Sequence, residues 1–404
     1  MRVMKFLAIL VALACVPLLS HAAEVNLTSS TQYLWYQDLL ATDKEQSQQD
    51  VAEYLRVNVT KLDKEGKINV YAYGRATKQI STSQDFQGRL YYFYVDYRDA
   101  LAERMDLRAG RTYVNAAAMS GTIDGLHLNV KNIGPLGATV FGGRDVIFED
   151  KRDTGTRGDA LTGMSVYLDT IKNTFIEASY GRKYTDADVA RENLGLDFST
   201  TPFATTNFYG RLKYDTVAET YNEMLFGAKV SPLKDLVLRG EYYQSYPTFD
   251  ISSIYSIFAV SQYKEKSIAA EYQLSAHYRV SAKYAREDFD EGENANVYEL
   301  GLRAQPIKDF TLNVTYERRN GYAGELSGFR IYGEYKLNRA AIMAGIDFDD
   351  FRRELSREDT AKKYWAGVNY EFNKLISAVV RIENNVNFNY DNSYQGYAAI
   401  NINY

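Results

Sequence analysis

From residue 23 onward, apolar and polar positions alternate in runs of about ten, and clusters of turn-forming residues separate the runs. In the run 310–319 one parity reads Phe310, Leu312, Val314 and Tyr316, and the other Thr311, Asn313, Thr315, Glu317 and Arg319. Successive side chains leave a strand on opposite faces, so such a run has one apolar wall and one polar wall. The run 278–287 sets Tyr278, Val280, Ala282 and Tyr284 against Arg279, Ser281, Lys283 and Glu287. Near the end, Ile376, Ala378, Val380 and Ile382 oppose Ser377, Arg381 and Glu383. A water-soluble sandwich also alternates, so the position of the aromatics has to decide. Tyrosines fall at run ends beside polar turns, as Tyr278 and Tyr284, Tyr242 and Tyr243, and Tyr91 and Tyr92 do. That placement predicts an aromatic girdle at a membrane surface.

The links between runs are of two kinds. Short ones occupy 61–66, 133–137, 171–173, 231–235, 305–309, 336–339 and 372–374, and longer polar ones occupy 38–50, 148–159, 288–296 and 351–361. Short and long links alternate when one rim of a barrel faces the periplasm and the other the medium. Keeping that alternation requires a strand at 193–199, with Leu194, Leu196 and Phe198 on one face. The predicted fold is all-β: a transmembrane antiparallel up-and-down β-barrel of about 22 strands, within a range of 18 to 22. A barrel of that size is too wide for its own side chains to fill, so it holds water, folded-in loops or a guest.

Composition narrows the chemistry. Mean hydropathy is -0.38, and the one long apolar run lies at the start, so a bundle of membrane helices is excluded. That run reads as a signal peptide over 1–22: Arg2 and Lys5 are the basic region, an apolar stretch follows, and Ser20-His21-Ala22 is the cleavage site. Its removal lowers Lys+Arg from 47 to 45 against 52 acids, a formal charge of -7. Cys15 and His21 go with it, leaving a barrel of residues 23–404 with no cysteine and with His127 and His277 alone. Covalent haem, thiolate zinc, iron–sulfur clusters and redox disulfides are thereby excluded, and no cofactor is expected. No glycine-rich phosphate loop or nucleophile elbow occurs, so no enzyme and no nucleic-acid partner is expected.

The functional material is the charge on the polar parity: Arg108, Arg239, Glu241, Arg279, Lys283, Glu317, Arg319, Arg381 and Glu383. Such groups set a transverse field across a wet lumen, or they form ion-pair ladders that keep the wall polar. Arg111 falls on the apolar parity of a regular strand; it either snorkels at the rim or is turned inward by a bulge at Gly110. The acidic groups Asp288, Asp290, Glu291 and Glu293, and Asp347, Asp349 and Asp350, read as solvated surface loops. His127 reads as a wall residue and His277 as a turn residue.

At the C-terminus Tyr394, Gly396, Ala398, Ile400, Ile402 and Tyr404 form an alternating face that ends in an aromatic residue. This resembles the closing strand by which Gram-negative outer-membrane barrels are recognised during assembly, although that family usually ends in Phe. The resemblance spans the whole chain and implies an outer-membrane location, with membrane lipids and the barrel-assembly machinery as partners and Tyr404 as the assembly signal. A second likeness is local. Leu107-Arg108-Ala109-Gly110-Arg111 is followed by a small-residue stretch 115–122 and then by Ile123-Asp124-Gly125-Leu126. It resembles the porin arrangement in which a Gly-Arg strand end precedes a loop that folds inward; a plain surface loop is the alternative. The porin resemblance implies passive diffusion of small hydrophilic solutes or ions, with Arg111 and Asp124 joining the charged set as constriction candidates. The cysteine-free barrel is also similar to the sheath proteins of porin–cytochrome electron conduits, which implies a scaffold around a separate multihaem cytochrome.

Overall fold

The computed structural model describes residues 23–39, 45–82, 85–148, 158–246, 262–322, 324–352, 358–387 and 390–404. Residues 1–22, expected to be a signal peptide, and the central parts of several long links lie outside the described residues. Among the described residues, twenty-two strands follow one another. The first eight are β1 (Glu24–Leu39), β2 (Glu45–Thr60), β3 (Ile68–Gln79), β4 (Gln87–Asp99), β5 (Met105–Asn115), β6 (Ser120–Ile133), β7 (Leu136–Asp145) and β8 (Ala160–Leu168). Then come β9 (Thr174–Thr185), β10 (Asp188–Phe203), β11 (Thr206–Asp215), β12 (Thr220–Leu233), β13 (Leu236–Ser245), β14 (Tyr263–Ser275) and β15 (Tyr278–Asp288). The last are β16 (Asn294–Ile307), β17 (Phe310–Gly321), β18 (Glu325–Leu337), β19 (Ala340–Arg352), β20 (Glu358–Glu371), β21 (Ile376–Asn387) and β22 (Tyr390–Asn403).

Each strand pairs antiparallel with the next, and β22 pairs back onto β1 from Thr28↔Asn403 to Tyr36↔Gln395. The sheet therefore closes on itself and has no free edge at the seam. At a strand spacing of ~4.8 Å and a tilt of ~40°, twenty-two strands make a cylinder about 44 Å across between backbones. The short links all fall on one rim, as the alternation predicts, and the strand expected at 193–199 lies inside the longer β10.

Facing residues follow the period of two. On β17, Leu312, Val314 and Tyr316 register with Ala304, Leu302 and Leu300 of β16, while Thr315, Glu317 and Arg319 register with Gly301, Glu299 and Val297. The first row belongs to an outer band in which Leu300 is 57% exposed and Ile331 42%. The second faces the lumen. Alternation places Tyr278, Tyr284 and Tyr242 on the outer face, but Tyr243 registers with Glu265 on the lumenal row. Tyr92 registers with lumenal Tyr73, and a register shift after Tyr73 lets Tyr91 stack on the same ring at 5.0 Å. These three tyrosines are not girdle residues; a bulge and a one-residue offset take them inside. Asp347, Asp349 and Asp350 likewise lie within β19, not in a surface loop, and Asp347 and Asp349 share the lumenal row with Arg330.

Candidate functional site: the lumen and its inward hairpin

One seam is incomplete. The β4–β5 register runs over five pairs, from Phe93↔Arg111 to Tyr97↔Leu107, whereas every other neighbouring pair has nine or more. Past Arg111, β5 pairs with β6 alone, and β6 meets β7 only from Ile123↔Asp145 onward. Residues 112–122 thus form a two-stranded tongue that leaves the wall.

Glycines make the departure feasible. Gly110 registers with Gly125, and Gly125 with Gly143. Gly110 has φ +126°, and a Cβ on Gly125 would stand 2.2 Å from the Gly142 carbonyl oxygen. Backbones approach there more closely than side chains permit. Arg111 braces the same point. Its Nε and Nη2 donate to the two carboxylate oxygens of Asp124 at 2.7 and 2.8 Å, and its Nη1 donates to the Leu90 carbonyl at 2.9 Å. Leu90 lies on β4 beyond the last β5 pair, so the guanidinium serves a ladder oxygen that β5 no longer reaches.

The tip of the tongue folds over β7 and β8 and reaches the inner face of β9, three strands along from β6. Ala117 N–H donates to Glu177 Oε1 at 2.9 Å and Ala118 N–H to Ser179 Oγ at 2.8 Å, both acceptors on β9. A Cβ on Gly195 of β10 would stand 2.1 Å from the Ala118 nitrogen, and one on Gly181 of β9 would stand 2.5 Å from the Met119 Cβ. Val114, Ala116 and Met119 of the tongue bury themselves with Ile123, Phe141 and Leu161 of the wall. This apolar cluster sits inside an otherwise polar lumen. The stretch 115–122 is therefore an inward-folded hairpin held by fit, hydrogen bonds and burial; the plain surface loop is not what forms.

The charged side chains named from the sequence distribute as follows. Arg239 and Glu241 share the lumenal face of β13, and Glu241 accepts from the Tyr209 hydroxyl at 2.5 Å. Arg279 donates to Gln273 at 2.8 Å, and Lys283 lies 3.0 Å from Glu265. Glu317 pairs with Arg330 at 2.8 Å, and Arg319 with Glu287 at 2.5 Å. Arg381 pairs with Glu383 at 3.0 Å and lies 4.1 Å above the Trp365 ring. Arg108 stacks 4.7 Å from the Tyr94 ring and approaches Asp96 at 3.6 Å. All of these occupy lumenal rows; Arg108, Lys283, Glu317, Arg319, Arg381 and Glu383 pair with an opposite charge, whereas Arg239 registers with Lys229 and Arg279 with Arg303. Arg111 and Asp124 do not join them: their row runs through Phe93, and they pair with each other at the root of the tongue.

Sequence reading passed over the docking surface, Glu177, Ser179, Gly181 and Gly195, and also the carboxylates that answer the arginines, such as Asp96 and Asp197. Asp197 meets Arg211 at 2.6 Å. Parity alone could have placed Asp96 beside Tyr94 on the polar face. Nothing local marks Gly195 as a landing site. Among the described residues, no cluster of His, Cys, Asp or Glu is arranged to hold a metal ion.

No family model matches the sequence, and no curated protein matches it. Solved structures do resemble it. A BenF-like porin from Pseudomonas fluorescens Pf-5 superposes with a TM-score of 0.50 at 10% identity, over 95% of this chain and 98% of that one. The outer membrane protein opdK from Pseudomonas aeruginosa gives 0.49 at 9% identity, over 95% and 98%. OpdQ from the same organism gives 0.48 at 10% identity, again over 95% and 98%. What the first of these likenesses carries is architecture: the chain shares the antiparallel barrel fold of a porin of known structure.

Proposed function

We propose that the chain is a porin-like channel of a Gram-negative outer membrane, through which small hydrophilic solutes or ions diffuse down their gradients without a catalytic step. The observation that carries the reading is the hairpin 112–122 inside a closed barrel whose lumenal rows are charged. A cylinder about 44 Å across would be an unselective hole. A tongue folded inside it and pinned to β9 narrows it, and the charged lumenal rows bias what passes.

The hairpin also favours a channel over a sheath. A scaffold for a multihaem cytochrome needs its lumen free for the guest, and here part of that space is taken by the protein's own buried residues, Ala118 and Met119 among them. The outer band of apolar and aromatic side chains suits a hydrocarbon layer, and the β22–β1 pairing closes the cylinder. Planar-bilayer recording of the purified, refolded chain tests the proposal. Discrete conductance steps are expected. A folded barrel that inserts and gives no steps, or one that co-purifies with haem protein, would count against it.

A further inference from the structure

Below the root of the tongue the lumenal wall of β4, β5 and β6 encloses a pocket of about 300 Å³. Its charge is divided. On one side Arg98 and Arg108 share a single carboxylate, Asp96, at 2.6 and 3.6 Å. Asp96 is 4% exposed, and Arg108 Nε is buried without a hydrogen-bond partner. On the other side one ammonium, Lys131, serves two carboxylates, Asp99 at 2.6 Å and Asp106 at 2.8 Å. The first half therefore carries one positive charge in excess and the second one negative. The turn after β4 holds the second half in place: Asp99 has φ 54°, and its N–H donates to Asp106 at 2.9 Å.

Arg108 and Asp106 are two residues apart on one face of β5, so the halves stand about 7 Å apart along the strand. His127 and Asn129 register opposite them on β6 and form the floor. We propose that this pocket binds a small zwitterion, a molecule with one ammonium and one carboxylate, with the carboxylate at Arg98 and Arg108 and the ammonium at Asp99 and Asp106. The proposal rests on the channel reading, because it names a class of solute for that lumen. A singly charged solute satisfies one half and leaves the other unanswered. A zwitterion of a few ångströms' charge separation answers both.

Equilibrium dialysis of labelled β-alanine against the refolded barrel in detergent tests the site, with propionate and propylammonium as competitors. Saturable binding is expected, with each singly charged competitor at least about tenfold weaker than β-alanine itself. Arg108→Gln and Asp106→Asn should each weaken binding about tenfold or more, while Asp347→Asn, elsewhere on the lumenal wall, leaves it unchanged. Arg98→Gln, at a half-exposed side chain, replaces Arg108→Gln if circular dichroism shows that the latter does not fold. No saturable binding, equal displacement by propionate, or unaltered binding in folded variants of both halves would overturn the proposal. Conductance without binding removes the site and spares the channel. Binding without conductance removes the channel and leaves the site.

Discussion

Gly195→Val is the substitution most directly aimed at the tongue. Its new Cβ would stand 2.1 Å from the Ala118 nitrogen and 2.5 Å from the Ala117 carbonyl carbon, both backbone atoms that no side-chain rotation can move aside. The tip must lift from β9 and β10. Two hydrogen bonds go with it, Ala117 N–H to the Glu177 carboxylate and Ala118 N–H to the Ser179 hydroxyl. A bond to a charged acceptor contributes about 1.5–3 kcal/mol and a neutral one about 0.5–1.5 kcal/mol, so docking weakens by roughly 2–4 kcal/mol. That is a factor of about 30 to 1000 in the docked-to-undocked ratio. The wall itself is spared, since β10 keeps its registers with β9 and β11. In planar bilayers Gly195→Val should therefore give larger and noisier conductance steps than the parent. Gly240→Val is the control, because a Cβ at Gly240 meets nothing within 4 Å, and its conductance should match the parent. A folded Gly195→Val barrel with parental conductance would refute the view that the tongue narrows the pore.

Other expectations follow from the same geometry. Arg111→Met leaves Asp124 without its partner and the Leu90 carbonyl without a donor; with Asp124 34% exposed, the loss should be about 2–3 kcal/mol, read as a lower denaturant midpoint. An unchanged midpoint would show that the brace contributes nothing. In the turn after β2, Ile68 N–H donates to Asp63 at 2.8 Å, and this bond holds the Asp63 carboxyl below its ordinary 3.8. A depressed carboxylate stabilises the folded turn above its unfolded pKa and loses that effect as pH falls through the folded value. Amide protection at Ile68 should therefore fall below about pH 4, and Asp63→Asn should lower it already at neutral pH. Equal protection in the two proteins at neutral pH would contradict this.

The barrel was legible because its rule is short-range. On β17 every second residue from Phe310 to Tyr316 is apolar, and the same period repeats down the chain, so faces and strand number follow from counting. Leu194, Leu196 and Phe198 were enough to reveal β10, whose ends needed the partner strands to define them. Reading failed where one residue is gained or lost. The bulge beside Tyr73 carries Tyr91 to the lumenal side, and one position of offset sends Tyr243 inward while Tyr242 stays outside. The Gly-Arg step marked the root of the tongue, but its landing site depends on Gly181 and Gly195, more than sixty residues further on. The charged pocket was missed for the same reason: Asp96, Arg108 and Lys131 come from three strands, and their unequal sharing of charge exists only once those strands are side by side.

Single cysteines along β17 test the two-faced cylinder most directly, because the chain without residues 1–22 has no cysteine of its own. In lipid bilayers a charged, membrane-impermeant thiol reagent should label cysteines at Asn313, Thr315, Glu317 and Arg319. It should spare those at Leu312, Val314 and Tyr316, which react only after unfolding. Equal labelling of both rows, or protection of both, would contradict a wall with water on one side and lipid on the other.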